Sequence, residues 1–298
     1  MRVRKAVIPA AGFGTRFLPV TKSIPKTMIP IVDKPVIHYV VEAAVSSGIE
    51  QIVLVTSSTS KPLEDYFDSN FELECALERT GKLELLEEMR RIRDMAEVVY
   101  VRQKEPLGNG HAVLVARHVI GSEPFAVLWG DDVLVGDPPI PRQLIDVAQQ
   151  FDAPVIGVRR VPEGDFEKYG MLEVTPIAGS GEGERTTRAI SVVEKPGVEE
   201  SPSDLAQIGG FVLTPDIFEI LATLRPGPSG EIFLTDGLIH LMGKRPVYAH
   251  EFTGRRYDAG NKLDYLRATV EMALADPDLR EPFGEYLLSL DVRQFESL

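Results

Sequence analysis

A single α/β domain with a mostly parallel central sheet is the fold that the 298-residue sequence predicts, with helices packed on both faces. Short runs rich in Val, Ile and Leu, typical of strands buried on both faces, alternate with longer amphipathic stretches. A glycine-rich turn follows the first of these runs, as in many nucleotide-binding sheets. The apolar runs span residues 5–8, 51–55, 98–101, 125–128 and 155–158, and the amphipathic stretches include 36–47 and 110–119.

The remaining segments complete the predicted fold. Residues 171–175 and 188–193 predict two strands joined by a glycine-rich loop at 179–184. Residues 262–275 and 283–290 predict C-terminal helices.

A charged segment at 72–97 interrupts the alternation of strands and helices. Its apolar residues recur at helical spacing and are Leu85, Met89, Ile92 and Ala96. We expect one exposed helix there, packed on the sheet.

Composition narrows the class of protein. A chain of this length with 44% hydrophobic residues can bury a large core, and its formal net charge of −13 disfavours nucleic-acid and acidic-membrane partners. Cys75 is the one cysteine, so no internal disulfide can form, which fits a reducing compartment. No stretch approaches the roughly 20 apolar residues of a membrane span, and no apolar signal region precedes the first strand. We therefore expect a cytoplasmic protein without a membrane partner.

The turn after the first strand carries the strongest signal. Gly12 and Gly14 allow backbone N–H groups to approach an anion, and Arg16 and Lys26 supply two cations nearby. Phe17 stands where the dinucleotide fingerprint needs its third glycine, which argues against that motif. A Walker P-loop is excluded as well, because its lysine would directly follow a glycine. The turn is therefore predicted to grip a triphosphate.

This motif resembles a known family. Residues 12–26 read G-x-G-T-R-x-x-P-x-T-K-x-x-P-K, which resembles the signature of the sugar-nucleotide pyrophosphorylases, and in particular the bacterial UTP–glucose-1-phosphate uridylyltransferases. Further segments that match that family lie at 33–35, 130–132, 194–196 and 258–262.

The resemblance implies a fold and an activity. The fold is a Rossmann-like three-layer α/β/α nucleotidyltransferase sheet with small sugar-binding additions. The activity is Mg²⁺-dependent transfer of UMP from UTP to α-D-glucose 1-phosphate, giving UDP-glucose and pyrophosphate. On this reading residues 1–298 form one domain, with 1–135 mainly nucleotide-binding, 136–262 mainly sugar-binding and metal-binding, and 263–298 helical. The resemblance also implies a homodimer or homotetramer.

The chemistry of this transfer explains the residue types at the matched positions. Both reactants are anions, so charge neutralisation and in-line positioning matter most. The planar fork of Arg16 suits the leaving pyrophosphate, while Lys26 offers a point charge near the α-phosphate. Mg²⁺ prefers a few carboxylates plus phosphate oxygens, which Asp131 and Asp258 could provide. The phosphate nucleophile is already ionised, so neither a general base nor a covalent intermediate is expected.

Residue by residue, the resemblance implies four groups of site residues. The catalytic group is Arg16, Lys26, Asp131 and Lys195. The nucleotide-binding group is Ala11, Gly12, Gly14, Thr15, Arg16, Lys26, Gln103 and Gly108. The sugar-phosphate group is Gly170, Glu194 and Lys195, and the metal ligands are Asp131 and Asp258.

Two positions depart from the pattern, and three alternatives stay open. Thr27 replaces a usual glutamate, which leaves the selectivity for uracil open, and His38 replaces a usual glutamine. Uracil and thymine share a Watson–Crick edge, so thymidylyl transfer from dTTP is the first alternative. A non-catalytic nucleotide-sugar sensor and a Rossmann oxidoreductase are the others.

No metal-ligand spacing joins the five histidines, for which we expect structural roles: His38, His111, His118, His240 and His250.

Overall fold

The computed structural model describes residues 1–58, 60–177, 184–227 and 229–295, so the predicted loop at 179–184 lies, except for Glu184, outside the described residues. The strands are β1 (Lys5–Pro9), β2 (Pro30–Ile31), β3 (Lys34–Pro35), β4 (Gln51–Thr56), β5 (Glu97–Arg102), β6 (Phe125–Val127), β7 (Asp132–Val135), β8 (Val155–Arg160), β9 (Gly170–Thr175), β10 (Thr186–Glu194), β11 (Leu205–Leu213), β12 (Val247–Glu251) and β13 (Arg255–Asp258). The α-helices are α1 (Val36–Ser46), α2 (Lys61–Tyr66), α3 (Phe71–Arg79), α4 (Leu83–Arg93), α5 (Asn109–Val115), α6 (Arg117–Ile120), α7 (Ile140–Phe151), α8 (Asp216–Thr223), α9 (Leu234–Met242), α10 (Lys262–Ala275) and α11 (Arg280–Ser289).

Nine strands of the described chain form the central sheet, in the order β5-β4-β1-β6-β11-β8-β12-β10-β9. The pairs β5–β4, β4–β1, β1–β6 and β8–β12 are parallel. Only β11 and β10 run against the other strands of this sheet. Seven of the nine strands therefore run in one direction, as predicted, and β10 and β11 make the sheet a mixed one.

Alternation along the strands builds a core on each face of the sheet. In β1, Ala6 and Ile8 belong to one buried cluster, whereas Val7 between them belongs to the other. Helices α1 and α7 cover the first face, and α5, α8 and α9 cover the second. The predicted three layers therefore arise from strands that are apolar on both faces.

Two of the predicted helices are wrong in extent. The segment 72–97 forms two helices, α3 and α4, because Gly81 takes a φ of 71° between them. In α4 it is Leu86 that is buried, whereas Leu85 is 46% exposed. The stretch 110–119 is likewise divided between α5 and α6 at Ala116.

The carboxyl ends of β1, β5 and β6 meet at one edge of the sheet, because these strands are parallel and close together. The turns after them contain Thr15, Gln103 and Asp131, as predicted. At this edge a small two-stranded sheet pairs β7 with β13. Among the described residues, no helix has both the length and the apolar character to cross a membrane.

Candidate active site

A cavity of about 410 Å³ opens at the carboxyl edge of the sheet. Most of the predicted nucleotide-binding residues line it, together with the predicted metal ligand Asp131. The predicted residues on its wall are Ala11, Gly12, Gly14, Thr15, Lys26, Gln103, Gly108 and Asp131. The fold thus brings together residues from three strand ends that are far apart in the chain.

The glycine turn needs glycine at position 14. Gly14 has a φ of 63°, and a Cβ on it would lie 2.8 Å from the Cβ of Lys26. Thr21 fixes the turn by donating a hydrogen bond from Oγ1 to the carbonyl of Gly14, at 2.9 Å. Gly14 therefore allows the turn and the segment that carries Lys26 to lie against each other.

Arg16 lies apart from the other predicted nucleotide-binding residues. It belongs to a short 3-10 helix, Thr15–Phe17, in which Phe17 is buried and Arg16 is exposed. Its side chain does not line the cavity that Thr15 enters. The first α-helix after the turn, α1, begins only at Val36.

Three charged groups come together around Gly260, next to the cavity: Lys26 and Asp131 line the cavity, whereas Asp258 does not. Lys26 Nζ donates a hydrogen bond to Asp131 Oδ2. A Cβ on Gly260 would lie 2.8 Å from Asp258 Oδ1, 2.9 Å from Asp131 Oδ2 and 3.1 Å from Lys26 Nζ. Both predicted metal ligands and the predicted catalytic lysine therefore face one small space, which the absent side chain of Gly260 leaves free.

Backbone pairing holds the two carboxylates in place. β7 and β13 are antiparallel, and the amide of Ala259 donates to the carbonyl of Asp131 at 2.9 Å. The amide of Gly260 donates to Asp258 Oδ1 at 2.7 Å. Among the described residues no three His, Cys, Asp or Glu side chains form a metal-ligand cluster. Two carboxylates that face one small space fit Mg²⁺, which commonly keeps waters and substrate oxygens as its other ligands.

A buried ion pair lies next to these carboxylates. Arg256 donates to Asp132 Oδ1 from Nη2 at 2.7 Å and from Nε at 3.0 Å. Burial raises the pKa of Asp132 to about 6, although the positive charge of Arg256 acts to lower it. Burial also opposes the charge of Arg256, but the carboxylate of Asp132 raises the pKa of Arg256 above its usual value. The two hydrogen bonds from Arg256 favour the charged carboxylate, whereas burial opposes it. Arg256 also lies 3.7 Å from Asp258 and donates to the hydroxyl of Tyr169 at 3.1 Å.

The predicted sugar-phosphate residues lie at the ends of β9 and β10. Gly170 pairs with Glu194 in the antiparallel ladder, so the two are neighbours. Glu194 Oε2 accepts a hydrogen bond from Thr235 Oγ1 at 2.8 Å, and Gln207 Nε2 donates to the same Thr235 oxygen at 2.7 Å. A Cβ on Gly170 would lie 2.3 Å from Gln207 Nε2, so a larger residue there would displace the Gln207 side chain.

Lys195 follows Glu194 in a left-handed conformation, with a φ of 50°. Its amide donates to the carbonyl of Tyr169 at 3.0 Å, which fixes the strand end. Its ammonium lies 3.9 Å from Glu194 and the side chain is 55% exposed. This cation is therefore not held by a short ion pair with Glu194.

Gln103 and Gly108, which are predicted to bind the base, form part of the cavity wall. Gly108 has a φ of 94°, and a Cβ there would lie 2.7 Å from the carbonyl of Ile232. The segment after Glu231 thus packs directly against the wall, and Asn109 Oδ1 accepts the amide of Leu234 at 2.8 Å to hold it. Glu231 itself lines the cavity.

The two departures from the family pattern occupy different places. Thr27 lines the cavity but is only 4% exposed, and no described residue forms a hydrogen bond with its Oγ1. His38 is buried in α1, with Nδ1 3.0 Å from the hydroxyl of Tyr66, and does not line the cavity. Of the two, Thr27 is therefore the one on the cavity wall.

Sequence reasoning missed several residues of the site. Trp129, Asn109, Phe13 and Glu231 line the cavity, and His111 contacts Gln103, which the sequence analysis did not foresee. Trp129 could have been found, because it directly precedes Gly130 at the end of a predicted strand. Position in the sequence carried no comparable signal for Glu231.

Comparison with known proteins agrees with this geometry. The sequence profile of the nucleotidyl transferase family matches residues 5–274. A UTP–glucose-1-phosphate uridylyltransferase of Staphylococcus epidermidis is 46% identical over 291 residues, which cover 98% of this chain and 99% of that protein.

Solved structures agree as well. The UTP-bound UDP-glucose pyrophosphorylase of Acinetobacter baumannii superposes with a TM-score of 0.89 at 41% identity, covering 97% of this chain and 100% of that one. A UDP-glucose pyrophosphorylase complexed with UDP-glucose has a TM-score of 0.82 at 39% identity, covering 92% and 100%. The chain belongs to the nucleotidyl transferase family, in the branch that contains the UTP–glucose-1-phosphate uridylyltransferases.

Proposed function

We propose that this protein transfers UMP from UTP to α-D-glucose 1-phosphate, releasing pyrophosphate and forming UDP-glucose. One observation supports the proposal: Lys26, Asp131 and Asp258 converge on the space beside Gly260, next to a cavity that the predicted base-binding residues line. Relatives of nearly full length bear the name of this activity, and related structures hold UTP or UDP-glucose.

The charged residues around Gly260 suit a single in-line displacement. The phosphate of glucose 1-phosphate is already ionised and attacks the α-phosphorus directly, so inversion at phosphorus is expected. Lys26 would offset the charge that builds on the α-phosphate. Mg²⁺ would be held by Asp131 and Asp258 and, when bound, would neutralise the triphosphate oxygens.

The acceptor would be positioned by the ends of β9 and β10. Glu194 would accept hydrogen bonds from sugar hydroxyls, with its carboxylate oriented by Thr235. Lys195 would hold the phosphate on C1, and the backbone at Gly170 would approach the sugar closely. Arg16 would fold toward the leaving pyrophosphate from its exposed position.

Thymidylyl transfer is the alternative that shares this mechanism. The two bases differ by one methyl group, whose discrimination in an apolar pocket is about 10 to 200-fold. The 46% identical relative named for UTP favours uridylyl transfer. The homodimer or homotetramer, the cytoplasmic location and the division at residues 135 and 262 stay predictions.

Release of pyrophosphate tests the proposal. Purified protein with Mg²⁺ and glucose 1-phosphate would be assayed with UTP, dTTP, CTP, ATP and GTP in parallel, with EDTA controls. We expect turnover with UTP that EDTA abolishes. A preference for dTTP would support the alternative, and absence of turnover with every nucleotide and sugar phosphate would favour a non-catalytic sensor.

A further inference from the structure

The amide of Gln103 faces two partners within its own loop. Gln103 follows β5, and its backbone amide donates to the carbonyl of Thr56 at 2.9 Å, which extends the sheet pairing by one residue. Its side-chain Nε2 donates to the carbonyl of Gly108 at 3.0 Å. The same nitrogen lies 3.1 Å from Nδ1 of His111, in the first turn of α5.

These contacts determine the orientation of the amide. A backbone carbonyl only accepts hydrogen bonds, so the NH₂ group of Gln103, and not its oxygen, must face Gly108. The second hydrogen of that group then points to Nδ1 of His111. Nδ1 must accept it, which requires a neutral imidazole ring with its proton on Nε2.

Both donors of Gln103 are therefore used within the protein. No group of the described residues donates a hydrogen bond to its Oε1, and Gln103 lines the nucleotide cavity. A glutamine usually offers a base one donor and one acceptor, but here only the acceptor is left.

We propose that His111 is a positioning residue for base selectivity. It orients the amide of Gln103 so that only Oε1, a hydrogen-bond acceptor, is left to contact the base. This inference rests on the proposed function, in which the cavity binds the base of UTP. The one donor on the Watson–Crick edge of uracil is N3–H, so Oε1 of Gln103 accepts from it. Cytosine presents a lone pair at N3, which this fixed oxygen repels, whereas thymine keeps N3–H. His111 thus favours UTP and dTTP over CTP without contact with the base.

Three variants test this role. His111→Phe removes the acceptor and lets the amide turn, so the ratio of kcat/KM for UTP to that for CTP should fall about tenfold, as expected for one hydrogen bond. KM for UTP should rise, while KM for glucose 1-phosphate and the UTP to dTTP ratio should not change. His111→Asn places an amide oxygen near the position of Nδ1 and should restore the UTP to CTP ratio. His118→Phe, at an exposed histidine of α6, is the matched control.

The outcomes separate this inference from the proposed function. If UTP and CTP lose activity equally in His111→Phe, or if His111→Asn rescues nothing, His111 has only a structural role and the inference is wrong. Absence of wild-type turnover with UTP would instead overturn the proposed function.

A second measurement needs no variant enzyme to fold and remain active. Long-range ¹H–¹⁵N NMR of the wild-type protein at neutral pH reports which nitrogen of the His111 ring carries the proton. We expect the proton on Nε2 and an unprotonated, hydrogen-bonded Nδ1. A proton on Nδ1 would contradict the proposed orientation of Gln103.

Discussion

Lys26 and Asp131 form an ion pair although 105 residues separate them in the chain. The pair joins the predicted catalytic lysine to a predicted metal ligand on the cavity wall, beside Gly260. In the proposed mechanism the carboxylate of Asp131 would leave Lys26 to bind Mg²⁺. The ammonium of Lys26 would leave Asp131 to bind a phosphate oxygen. The contact therefore keeps both side chains oriented toward the place where charge builds during the reaction.

Replacement of Lys26 tests its electrostatic role. Lys26→Met keeps the length of the side chain and removes its charge, so kcat should fall about 10²–10³-fold, the usual loss for one donor to a charged transition state. Steady-state kinetics with saturating UTP measures this fall. Lys61→Met, at the exposed start of α2, should leave kcat unchanged. An unaltered kcat in Lys26→Met would remove Lys26 from the mechanism.

Gly260→Ala should separate activity from folding. The added Cβ would meet only the ends of three side chains, which can move aside, so the melting temperature should change little. The movement would displace Asp131 and Asp258, and a displacement of about 1 Å can cost about 10²-fold in rate. We expect that loss, together with a higher Mg²⁺ concentration for half-maximal activity. Gly164→Ala, where a Cβ meets nothing within 4 Å, serves as the control; equal activity in the two variants would contradict the assigned metal site.

The buried pair of Arg256 and Asp132 should show strong coupling. Arg256→Met leaves a buried carboxylate without its partner and should lower the free energy of unfolding by about 3–5 kcal/mol. Combining it with Asp132→Leu removes that carboxylate and should recover part of the loss. Urea unfolding of the single and double variants measures both effects. A double variant no more stable than Arg256→Met would show that the pair is not coupled in this way.

His38 makes stability depend on pH in a definite direction. Burial lowers the pKa of His38 in the folded protein, while the unfolded chain keeps a value of about 6.5. As the pH falls below about 6.5 the unfolded state binds the proton first, so stability is lost, at no more than about 1.4 kcal/mol per pH unit. Burial also lowers the pKa of His250, so the informative quantity is the difference between variants.

His38→Gln removes one of these two contributions. Between pH 7 and pH 5 its free energy of unfolding should fall less steeply than that of the wild type. His118→Gln, at an exposed position, should retain the wild-type slope. Parallel slopes for wild type and His38→Gln would show that His38 does not titrate on unfolding.

The sequence predicted the rim of the site well, for a physical reason. Thr15, Gln103 and Asp131 follow strands whose continuous apolar runs require burial on both faces, and parallel strands end at one edge. Their meeting therefore follows from local patterns. The break within 72–97 was also readable, since Gly81 lies in the middle of that segment.

Other contacts depend on tertiary geometry that no local pattern encodes. Arg256 meets Tyr169 and Asp132 because β13 pairs with β7, and short strands of four residues carry little periodicity. His111 approaches Gln103 because Gly108, at a positive φ, turns the chain back on itself. The conformation of that turn, and not the spacing, determines the contact.

Transfer of label from UTP tests the central claim most directly. With UTP labelled at the α-phosphorus, glucose 1-phosphate and Mg²⁺, the label should appear in UDP-glucose, whereas a γ-label should appear in pyrophosphate. Appearance of the α-label in free UMP, or of the γ-label in inorganic phosphate without UDP-glucose, would mean that the protein hydrolyses UTP and would contradict uridylyl transfer.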